Sequence, residues 1–346
     1  MGCAETEEKR GKCMTIKDIA RLSGYGIGTV SRVLNNHSDV SDKARKKIME
    51  VIEESNFQPN TNARHLKRQS ASSLSIIVKG NQNMLFADIL EKMQMLFSRN
   101  GENAEVSYID EDANEVECAL SLCRDRNPKG IIFLGGNLDY FDAFDSIEVP
   151  CVLLTNSAGS LNISNLSSFY TDDEEASYQV GSYLIKQGHK KIGVIGGTLS
   201  ATQISSSRYE GCLRSFKENG IDFEEKKAYI PCRYSMEDGY QAAKKLLKQV
   251  SGVTAIIALS DTIAVGAMRA ICDAGKRVPD DISVVGFDGI SLSNYCIPRL
   301  TTIRQDTDRM AREGVELMLR QIHYPGEGRD VSVPFQLLER ESVRKI

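Results

Sequence analysis

The stretch TIKDIARLSGYGIGTVSRVLNNHSDVSDKARKKIMEVIEESNFQPNTNARHLKR, residues 15–68, decides the fold of the N-terminal part of the chain. Its beginning has the spacing of a capping box, which predicts a helix that starts near Ile16 and ends at Gly24. Apolar residues at helical spacing predict a second helix, Ile27 to Leu34, and a third that is capped by Ser41. Three short helices with a glycine-containing turn between the first two are typical of a helix-turn-helix domain.

The second helix of such a domain enters the major groove of DNA, where side chains near its N-terminus reach the bases. Arg32 offers a fork of donors that matches guanine, and Ile27 can contact a thymine methyl group. Thr29 and Ser31 fit phosphate contacts, as does the run of cations at 43–47, which can equally be a solvated helix face. The stretch therefore predicts binding to double-stranded DNA.

Charge is distributed unevenly along the chain, although the net charge is only −4. Residues 1–69 hold 13 Lys and Arg against 9 Asp and Glu, whereas the remaining residues hold 30 against 38. Without the acidic tip, residues 12–69 carry 11 basic and 6 acidic groups. A small basic head on a larger acidic core predicts a separate partner for each part.

Length and composition exclude several classes of protein. A chain of 346 residues is about twice the common domain size, which predicts two or three folded units. There is no run of 18 apolar residues and the start is polar, so we expect no membrane span and no secretion signal, and a cytoplasmic location. Nine cysteines without a CxxC pair indicate reduced thiols rather than disulfides or a zinc site.

No catalytic or cofactor-binding pattern stands out from the sequence. The nearest glycine pattern, GVIGG at 193–197, lacks the GxGxxG spacing and the lysine of a phosphate-binding loop, which favours a strand that runs into a turn. His189 lies in a loop before a strand, where a role in orienting backbone is more common than catalysis. We therefore expect no enzyme activity, no cofactor and no metal.

From Leu74 onward, apolar strands alternate with amphipathic helices, a pattern typical of parallel sheets that are covered on both faces. The length fits two such sheets. The strand candidates are residues 74–78, 104–109, 130–134, 150–154, 190–197, 254–259 and 282–287. The helix candidates are residues 87–99, 115–126, 174–187, 208–219, 236–248, 262–274 and 306–321.

Two parts of the chain resemble one protein family. Residues 15–68 resemble the DNA-binding head and hinge of the LacI/GalR (lactose-repressor) family of bacterial transcription factors, through T-I-x-D-I-A, T-V-S-R-V-L-N and P-N-x-x-A-R-x-L. Residues 74–346 resemble the core of that family, through GHKKIGVIGG, SSSRYEG, VPDDISVVGFDGI and PRLTTIRQD. The resemblance implies the α/β fold class: a lambda-repressor-like helix-turn-helix domain and a hinge helix, followed by a type I periplasmic-binding-protein-like core of two parallel-sheet subdomains.

The resemblance also implies where the domains begin and end. Three segments should cross between the two subdomains. The segment near Leu300–Thr302 should return to the first subdomain, and the last strand, near Val333–Leu338, should lie in the second. The expected ranges are 1–13 for a disordered tip, 14–59 for the DNA-binding domain, 60–73 for the hinge helix and linker, 74–170 plus 302–331 for the N-subdomain, and 171–301 plus 332–346 for the C-subdomain.

In this family the hinge folds when two copies meet on the operator, and a leucine from each copy enters the minor groove. Leu66 occupies that position, and packing against the core is the alternative. Gly26 replaces the usual N-cap Ser, and Gly28 occupies a base-reading position without a side chain, which leaves the readout to Ile27 and Arg32. The implied DNA-contacting residues are Thr15, Ile27, Gly28, Thr29, Ser31, Arg32, Asn35, Asn60, Ala63, Arg64 and Leu66.

The resemblance places a ligand in the cleft at the carboxyl ends of the strands. Arg208 and Asp288 there would exchange hydrogen bonds with a neutral, hydroxyl-rich ligand, or form an ordinary salt bridge. Thr155 stands where sugar-binding members often have Asp, and Met84 replaces a common Pro in a loop that leads to Phe86. The implied ligand-contacting residues are Phe86, Asn137, Arg208, Tyr234, Ser260, Asp261 and Asp288. Core packing is the alternative for the two aromatic residues.

Together these features predict a homodimeric repressor of a carbohydrate-utilisation operon, associated with the nucleoid, that binds a near-palindromic operator and a small sugar-like effector. A purine-type corepressor-dependent repressor, or an activator, is the first alternative. The remote alternatives are a sugar-binding transport protein, which would need an export signal and no basic head, and a nucleotide-using α/β enzyme, which would need a phosphate loop.

Overall fold

The computed structural model describes residues 16–34, 40–55, 73–199 and 204–346. The chain divides into two compact units between residues 71 and 72, which we call the head and the core.

The described part of the head contains three helices where the sequence predicts them: α1 Ile16–Ser23, α2 Ile27–Leu34 and α3 Asp42–Glu54. Gly24 has a φ of +75°, a conformation that a residue with a Cβ rarely adopts, and it turns the chain sharply between α1 and α2. Helical periodicity predicts inward positions in these helices, and in the described part of the head Leu34, Val51 and Ile52 are half-buried at such positions. The fully buried ones are Ile19, Ala20, Val30, Val33, Ala44 and Ile48. The head is thus the predicted helix-turn-helix domain.

The core contains two six-stranded sheets with helices between their strands. In chain order its strands are β1 Leu74–Lys79, β2 Ala104–Ile109, β3 Gly130–Leu134, β4 Cys151–Leu154, β5 Leu166–Thr171, β6 Ile192–Gly196, β7 Tyr229–Pro231, β8 Ala255–Ala258, β9 Ser283–Asp288, β10 Thr301–Gln305, β11 Asp330–Val333 and β12 Phe335–Leu338. Its α-helices are α4 Met84–Arg99, α5 Glu115–Arg126, α6 Asp173–Lys186, α7 Ile204–Glu218, α8 Glu225–Ala228, α9 Met236–Gln249, α10 Asp261–Asp273 and α11 Thr307–Gln321.

The strand order is β11-β5-β4-β3-β1-β2 in the first sheet and β12-β10-β9-β8-β6-β7 in the second. Neighbouring strands run parallel, with Leu74 opposite Gly130, for example, except that β12 runs antiparallel to β10. The central strands β3, β4, β8 and β9 are buried along their whole length, because helices cover both faces of each sheet. The predicted two-sheet α/β core is confirmed.

Among the strands that are absent from the sequence-based candidates, β5 and β7 were missed for a physical reason. In β5, Ser167 and Ser168 occupy fully buried positions, so the apolar run that marks a buried strand is absent. Their hydroxyl groups bond instead with the segment that leads into β11: Ser167 accepts from the Arg329 N–H, and Ser168 donates to Asp330. β7 is only three residues long and ends in a proline.

The second crossing between the sheets, which returns the chain to the first sheet, lies further along the chain than expected. Residues 301–305 form β10, which pairs with β9 in the second sheet, so the return to the first sheet follows Gln305 rather than Leu300–Thr302. β11 belongs to the first sheet up to Val333, and β12 to the second. This corrects the expected ranges 302–331 and 332–346, whose limits fall inside strands.

No helix within the described ranges has the length and apolarity needed to cross a membrane.

Candidate functional site

The N-terminal half of α2 presents one solvent-facing surface, which we call the reading face. Ile27 is 47% exposed although it is apolar, and Gly28 and Arg32 are exposed beside it. Thr29 and Ser31 are half-buried at its edges. The opposite side of α2 packs into the head through the buried side chains of Val30 and Val33. The helix therefore holds the predicted base-contacting side chains outward on a fixed support.

The two glycines that depart from the family pattern have room for a side chain. The Gly26 carbonyl accepts from the N–H groups of Thr29 and Val30 at 2.9 and 3.1 Å, so the helix starts without a side-chain cap. A Cβ added at Gly26 or Gly28 would meet no heavy atom within 4 Å. No steric reason therefore requires glycine at these positions. The remaining predicted DNA contacts, Thr15, Asn35, Asn60, Ala63, Arg64 and Leu66, lie outside the described residues.

The core has a cavity of about 370 Å³ between the carboxyl ends of its two sheets. Its lining includes four of the seven predicted ligand-contacting residues: Phe86 from the first sheet's side and Arg208, Tyr234 and Asp288 from the second's. These residues are far apart in the sequence, and the parallel strands bring them together because their carboxyl ends meet at one edge. We call this the ligand cavity.

Phe86 lies in the first turn of α4 rather than in a loop. Asn83 caps this helix, since its side chain accepts from the Leu85 N–H at 3.0 Å, and the helix therefore starts three residues before the predicted Ala87. Phe86 is buried, and a Cβ added at Gly135 would come within 2.7 Å of its ring. The ring thus packs closely against the backbone after β3 at the cavity wall.

Arg208 is held between two buried carboxylates. Its Nε donates to Asp173 Oδ1 at 2.7 Å, and its Nη1 lies 3.4 Å from Asp288 Oδ1. Nη1 also donates to the Leu259 carbonyl at 2.5 Å, and the guanidinium carbon lies 3.7 Å from the centre of the Phe287 ring. Both of the predicted interpretations apply, because Arg208 and Asp288 line the cavity and form an ion pair.

Burial and the charges of their neighbours shift the pKa values of all three ionisable groups in this cluster. Burial raises the pKa of Asp173 to about 6 and that of Asp288 to about 6, although the Arg208 charge opposes both shifts. Burial alone would lower the pKa of Arg208, but Asp173 and Asp288 raise it above its ordinary value. At neutral pH the cluster therefore holds two carboxylates against one cation in a buried place.

Hydrogen bonds connect Asp288 to the segments that cross between the sheets. Gln305 Nε2 donates to Asp288 Oδ1 at 2.8 Å, and Thr171 Oγ1 donates to Gln305 Oε1 at 2.9 Å. Gln305 ends β10 and Thr171 ends β5, and both are buried. A ligand that contacts Asp288 would therefore act on a group that is bonded to Gln305 and, through Gln305, to Thr171.

The backbone is strained on both walls of the cavity. Thr155 follows β4 with a φ of +81°, and Asp288 ends β9 with a φ of +113°. Non-glycine residues rarely adopt such angles, which cost about 1–3 kcal/mol each and concentrate at functional sites. Sequence analysis singled out both positions for their side chains and carried no signal of this strain.

Tyr234 lines the cavity through its ring, and its hydroxyl oxygen lies 2.7 Å from Ser205 Oγ. Burial raises the pKa of Tyr234 to about 12, although the Arg208 charge opposes the shift. The phenol is therefore neutral, and the hydrogen bond fixes the orientation of its ring beside Arg208.

Three predicted ligand residues lie outside the lining of this cavity. Asn137 caps a 3-10 helix by accepting from the Asp139 N–H, and Ser260 caps α10 by accepting from the Ile263 N–H. Asp261 is fully buried and accepts from the Ile290 N–H at 2.8 Å and from Thr302 Oγ1 at 2.5 Å. Their polar groups are thus bonded within the core, and none of the three is among the residues that line the cavity.

Several charged groups of the site were missed in the sequence, including the lining carboxylates Asp110, Glu111 and Asp238. Asp173 opens α6 behind Arg208, and Arg233 and Lys79 line the cavity. Asp173, Arg233 and Lys79 each lie at or close to the end of a strand. Many other charged residues of an α/β chain occupy such positions, so the position alone does not identify a site residue. Their importance comes from which carboxylates and cations meet across the fold, and no local pattern shows this.

A second cavity, of about 700 Å³, shares Leu85 and Asp288 with the first and otherwise follows the crossing segments near Gln305 and Pro334. Of the predicted ligand residues it receives Asp288 alone, so the first cavity is the candidate ligand site. Within the described ranges, no group of three or more His, Cys, Asp or Glu side chains is arranged to hold a metal ion. The seven cysteines that the structure describes are free thiols.

Comparison with known proteins agrees with both parts of this architecture. The family model for bacterial regulatory proteins, lacI family, matches residues 15–60, and the model for the periplasmic binding protein-like domain matches residues 182–343. The chain is 36% identical to the HTH-type transcriptional regulator MalR of Clostridium butyricum over 333 residues, which are 95% of this chain and 99% of that relative. The chain belongs to the LacI family.

Other relatives of this LacI-family chain extend the likeness. It is 32% identical to the probable HTH-type transcriptional repressor ExuR of Bacillus subtilis (strain 168), over 96% of this chain and 99% of that one. The solved lac repressor dimer, bound to operator and the anti-inducer ONPF, is 26% identical with a TM-score of 0.68, over 96% of this chain and 100% of that one. Membership makes the protein a DNA-binding transcriptional regulator and not an enzyme, which confirms the sequence prediction.

Proposed function

We propose that this LacI-family regulator is a homodimeric repressor of a carbohydrate-utilisation operon, and that a sugar-like effector in the ligand cavity changes its affinity for a near-palindromic operator. The observation that carries the proposal is that one chain joins an outward reading face on α2 to a cavity lined by Arg208, Asp288 and an aromatic ring. DNA of a bacterium lies in its cytoplasm, so we place the protein there, associated with the nucleoid.

We assign the base contacts to Ile27 and Arg32 and the phosphate contacts to Thr29 and Ser31, because these side chains share or border the exposed side of α2. Gly28 lets the backbone of α2 approach the groove. Thr15 and Asn35 are proposed to flank this surface. In the hinge we propose minor-groove contacts, with Leu66 as the wedge and Asn60, Ala63 and Arg64 beside it.

Two adjacent apolar side chains support the homodimer. Tyr295 is 78% exposed and Ile297 is 96% exposed, in the turn between β9 and β10. Burying two large apolar side chains that are this exposed would be favourable, and we propose that a second copy covers them. Sedimentation of an Ile297→Asp variant should show monomers where the parent protein shows dimers. A parent protein that sediments as a monomer at micromolar concentration would remove the dimer from the proposal.

The ligand cavity is proposed to use Phe86 and Tyr234 as aromatic walls, with Arg208 as donor and Asp288 as acceptor for hydroxyl groups. Because Asp288 is bonded through Gln305 to Thr171, a ligand that favours one arrangement of this network shifts the relative orientation of the two sheets. Its effect on DNA binding cannot exceed its difference in affinity for the two arrangements.

The test begins with selection of binding sites from a pool of random duplex DNA by the full-length protein, followed by titration of the selected site with and without saccharides. We expect a near-palindromic site and release of DNA by at least one sugar. Tighter binding with a purine base or a sugar would instead indicate the corepressor alternative. Selection of no preferred sequence would contradict the proposal.

Asp288→Ala separates the two halves of this proposal. The variant should bind the selected site like the parent protein, because Asp288 lies in the core, and should lose the response to the effector. Leu66→Ala is the matched test of the hinge: it should weaken specific binding and reduce DNA bending while the effector still binds. An unchanged effector response in the Asp288 variant would argue against the ligand cavity.

A further inference from the structure

An ion-pair cluster joins the two walls of the ligand cavity. Arg233 follows β7 of the second sheet, and its Nε donates to Glu111 Oε1 at 2.7 Å while its Nη2 donates to Asp110 Oδ1 at 2.7 Å. Asp110 and Glu111 follow β2 of the first sheet, and all three residues line the cavity. Asp112 adds a third carboxylate 3.9 Å from Arg233 Nη2. We call this cluster the gate.

The other cations of the cavity lining are also engaged by carboxylates. Lys79 Nζ donates to Glu115 and to the Ala113 carbonyl, and Arg208 lies between Asp173 and Asp288. Each of the three cationic side chains in the described lining therefore has a carboxylate partner. Residues 200–203, outside the described part, are Ser, Ala, Thr and Gln and carry no charge.

Carboxylates outnumber cations around the cavity. The lining itself has four, Asp110, Glu111, Asp238 and Asp288, against the three cations, and Glu115 and Asp173 lie directly behind. A phosphate or carboxylate on a ligand would enter a negative potential and would have to displace a carboxylate from a cation that is already hydrogen-bonded. An uncharged hydroxyl group has no such penalty, since it both donates and accepts.

We propose that the gate selects by charge: Arg233, Asp110 and Glu111 admit uncharged saccharides to the ligand cavity and discriminate against sugar phosphates and uronates. This inference rests on the proposed function of the cavity as the effector site. It makes Asp110 and Glu111 the specificity-determining residues, because their removal frees a cation at the mouth that an anionic sugar could use.

The first experiment is isothermal titration of the full-length protein with sugars in matched pairs that differ in charge. The pairs are glucose and glucose 6-phosphate, ribose and ribose 5-phosphate, galactose and galacturonate, and trehalose and trehalose 6-phosphate. In every pair that binds, the neutral sugar should bind at least about tenfold more tightly. A pair in which the anionic sugar binds as tightly as the neutral one, or more tightly, would contradict charge selection by the gate. It would not contradict the proposal that the cavity binds the effector. Binding of no saccharide in a panel extended to neutral disaccharides overturns both.

The second experiment is the charge-removing double variant Asp110→Asn/Glu111→Gln. Because Asn and Gln still accept hydrogen bonds but carry no charge, Arg233 would have no carboxylate to displace, and the affinity for the anionic member of a binding pair should rise by about tenfold or more relative to the neutral member. The matched control is Glu102→Gln/Glu105→Gln, which removes two ion-paired carboxylates at the opposite end of β2, where they bond Lys129 and Arg126. It changes the net charge equally and should leave the ratio of affinities unchanged.

Both double variants alter partly exposed ion pairs and should retain the melting temperature of the parent protein within a few degrees. The single variant Glu111→Gln removes one negative charge instead of two, and should show a smaller change in the same direction. An equal change of the affinity ratio in both double variants would mean that the net charge of the protein, and not the gate, sets the ratio. An unchanged ratio in both variants would show that the gate does not select the ligand.

Discussion

The reading face of the head and the ligand cavity of the core are built in opposite ways. The reading face consists of exposed side chains on a regular helix, and its two unusual glycines, Gly26 and Gly28, are free of steric contact. The cavity consists of buried and ion-paired groups, with strained backbone at Thr155 and Asp288. The side chains that face DNA in the head are therefore not needed for its fold. In the core, the side chains that face the ligand also bond one another and belong to the folded interior.

This difference decides what a substitution does. At the reading face a side chain can change while the fold persists, so effects should appear in DNA binding alone. In the cavity the same residues hold the ligand and satisfy buried charges, so effects should appear in stability as well. Substitutions at single positions of the two regions can test this contrast.

Arg208→Met should be the most damaging change. It removes the one cation between Asp173 and Asp288 and leaves two buried carboxylates without it, which should lower the free energy of unfolding by about 3–5 kcal/mol. Asp173→Asn should cost less, about 1–3 kcal/mol, because it leaves Arg208 and Asp288 as a balanced pair. Urea unfolding of the core transition measures both. Equal losses would mean that the Arg208–Asp173 pair, and not the charge balance of the cluster, determines stability.

The cost of Arg208→Met should depend on pH. A carboxyl group with a raised pKa in the folded protein contributes stability at low pH and loses it as the pH rises through that value. Asp173 and Asp288 are such groups in the parent protein, because burial raises their pKa values to about 6. Loss of the opposing Arg208 charge should raise both pKa values further. The difference between parent and variant should therefore widen from pH 5 to pH 8. A constant difference would show that the carboxylates do not carry the penalty.

Sequence patterns describe the head better than the cavity for the same reason. Helical periodicity and capping fixed α1, α2 and α3, because these elements depend on neighbours within a few residues. Arg208 and Asp288 came from the family resemblance, and their partners Asp173 and Gln305 came only from the fold, since the pairs are 35 and 17 residues apart. Ser260 and Asp261 resembled ligand residues because a polar pair at the end of a strand looks the same whether it faces a cavity or caps a helix.

At the reading face, Arg32→Ala should remove about 1–3 kcal/mol of discrimination between the selected operator and sequences altered at one base pair. The physical reason is that the bidentate contact with guanine that we propose for Arg32 would be lost. The free energy of unfolding of the core should stay unchanged. Competition binding with single-base variants of the selected site measures the loss position by position.

Lys47→Ala is the matched control for Arg32→Ala, since it removes an exposed cation from α3 of the same head. If Lys47 contacts a phosphate, its loss should weaken binding to all sequences about equally and reduce the salt dependence, and if it lies on a solvated face it should change nothing. Either outcome preserves sequence preference. A change in preference in the lysine variant, or none in the arginine variant, would move the reading face elsewhere.

The smallest expected effect sharpens the contrast within the head itself. Gly28→Ala should stabilise α2 by up to about 1 kcal/mol, because glycine costs about that much inside a helix and a Cβ there meets no heavy atom within 4 Å. Gly24→Ala should have the opposite sign, because Gly24 holds a φ of +75°. Hydrogen exchange of the α2 amides in the full-length chain measures both. If Gly28→Ala slows exchange and also weakens operator binding, glycine at this position serves the close approach of α2 to DNA and not the stability of the helix. If the variant slows exchange and leaves operator binding intact, Gly28 has no part in DNA binding.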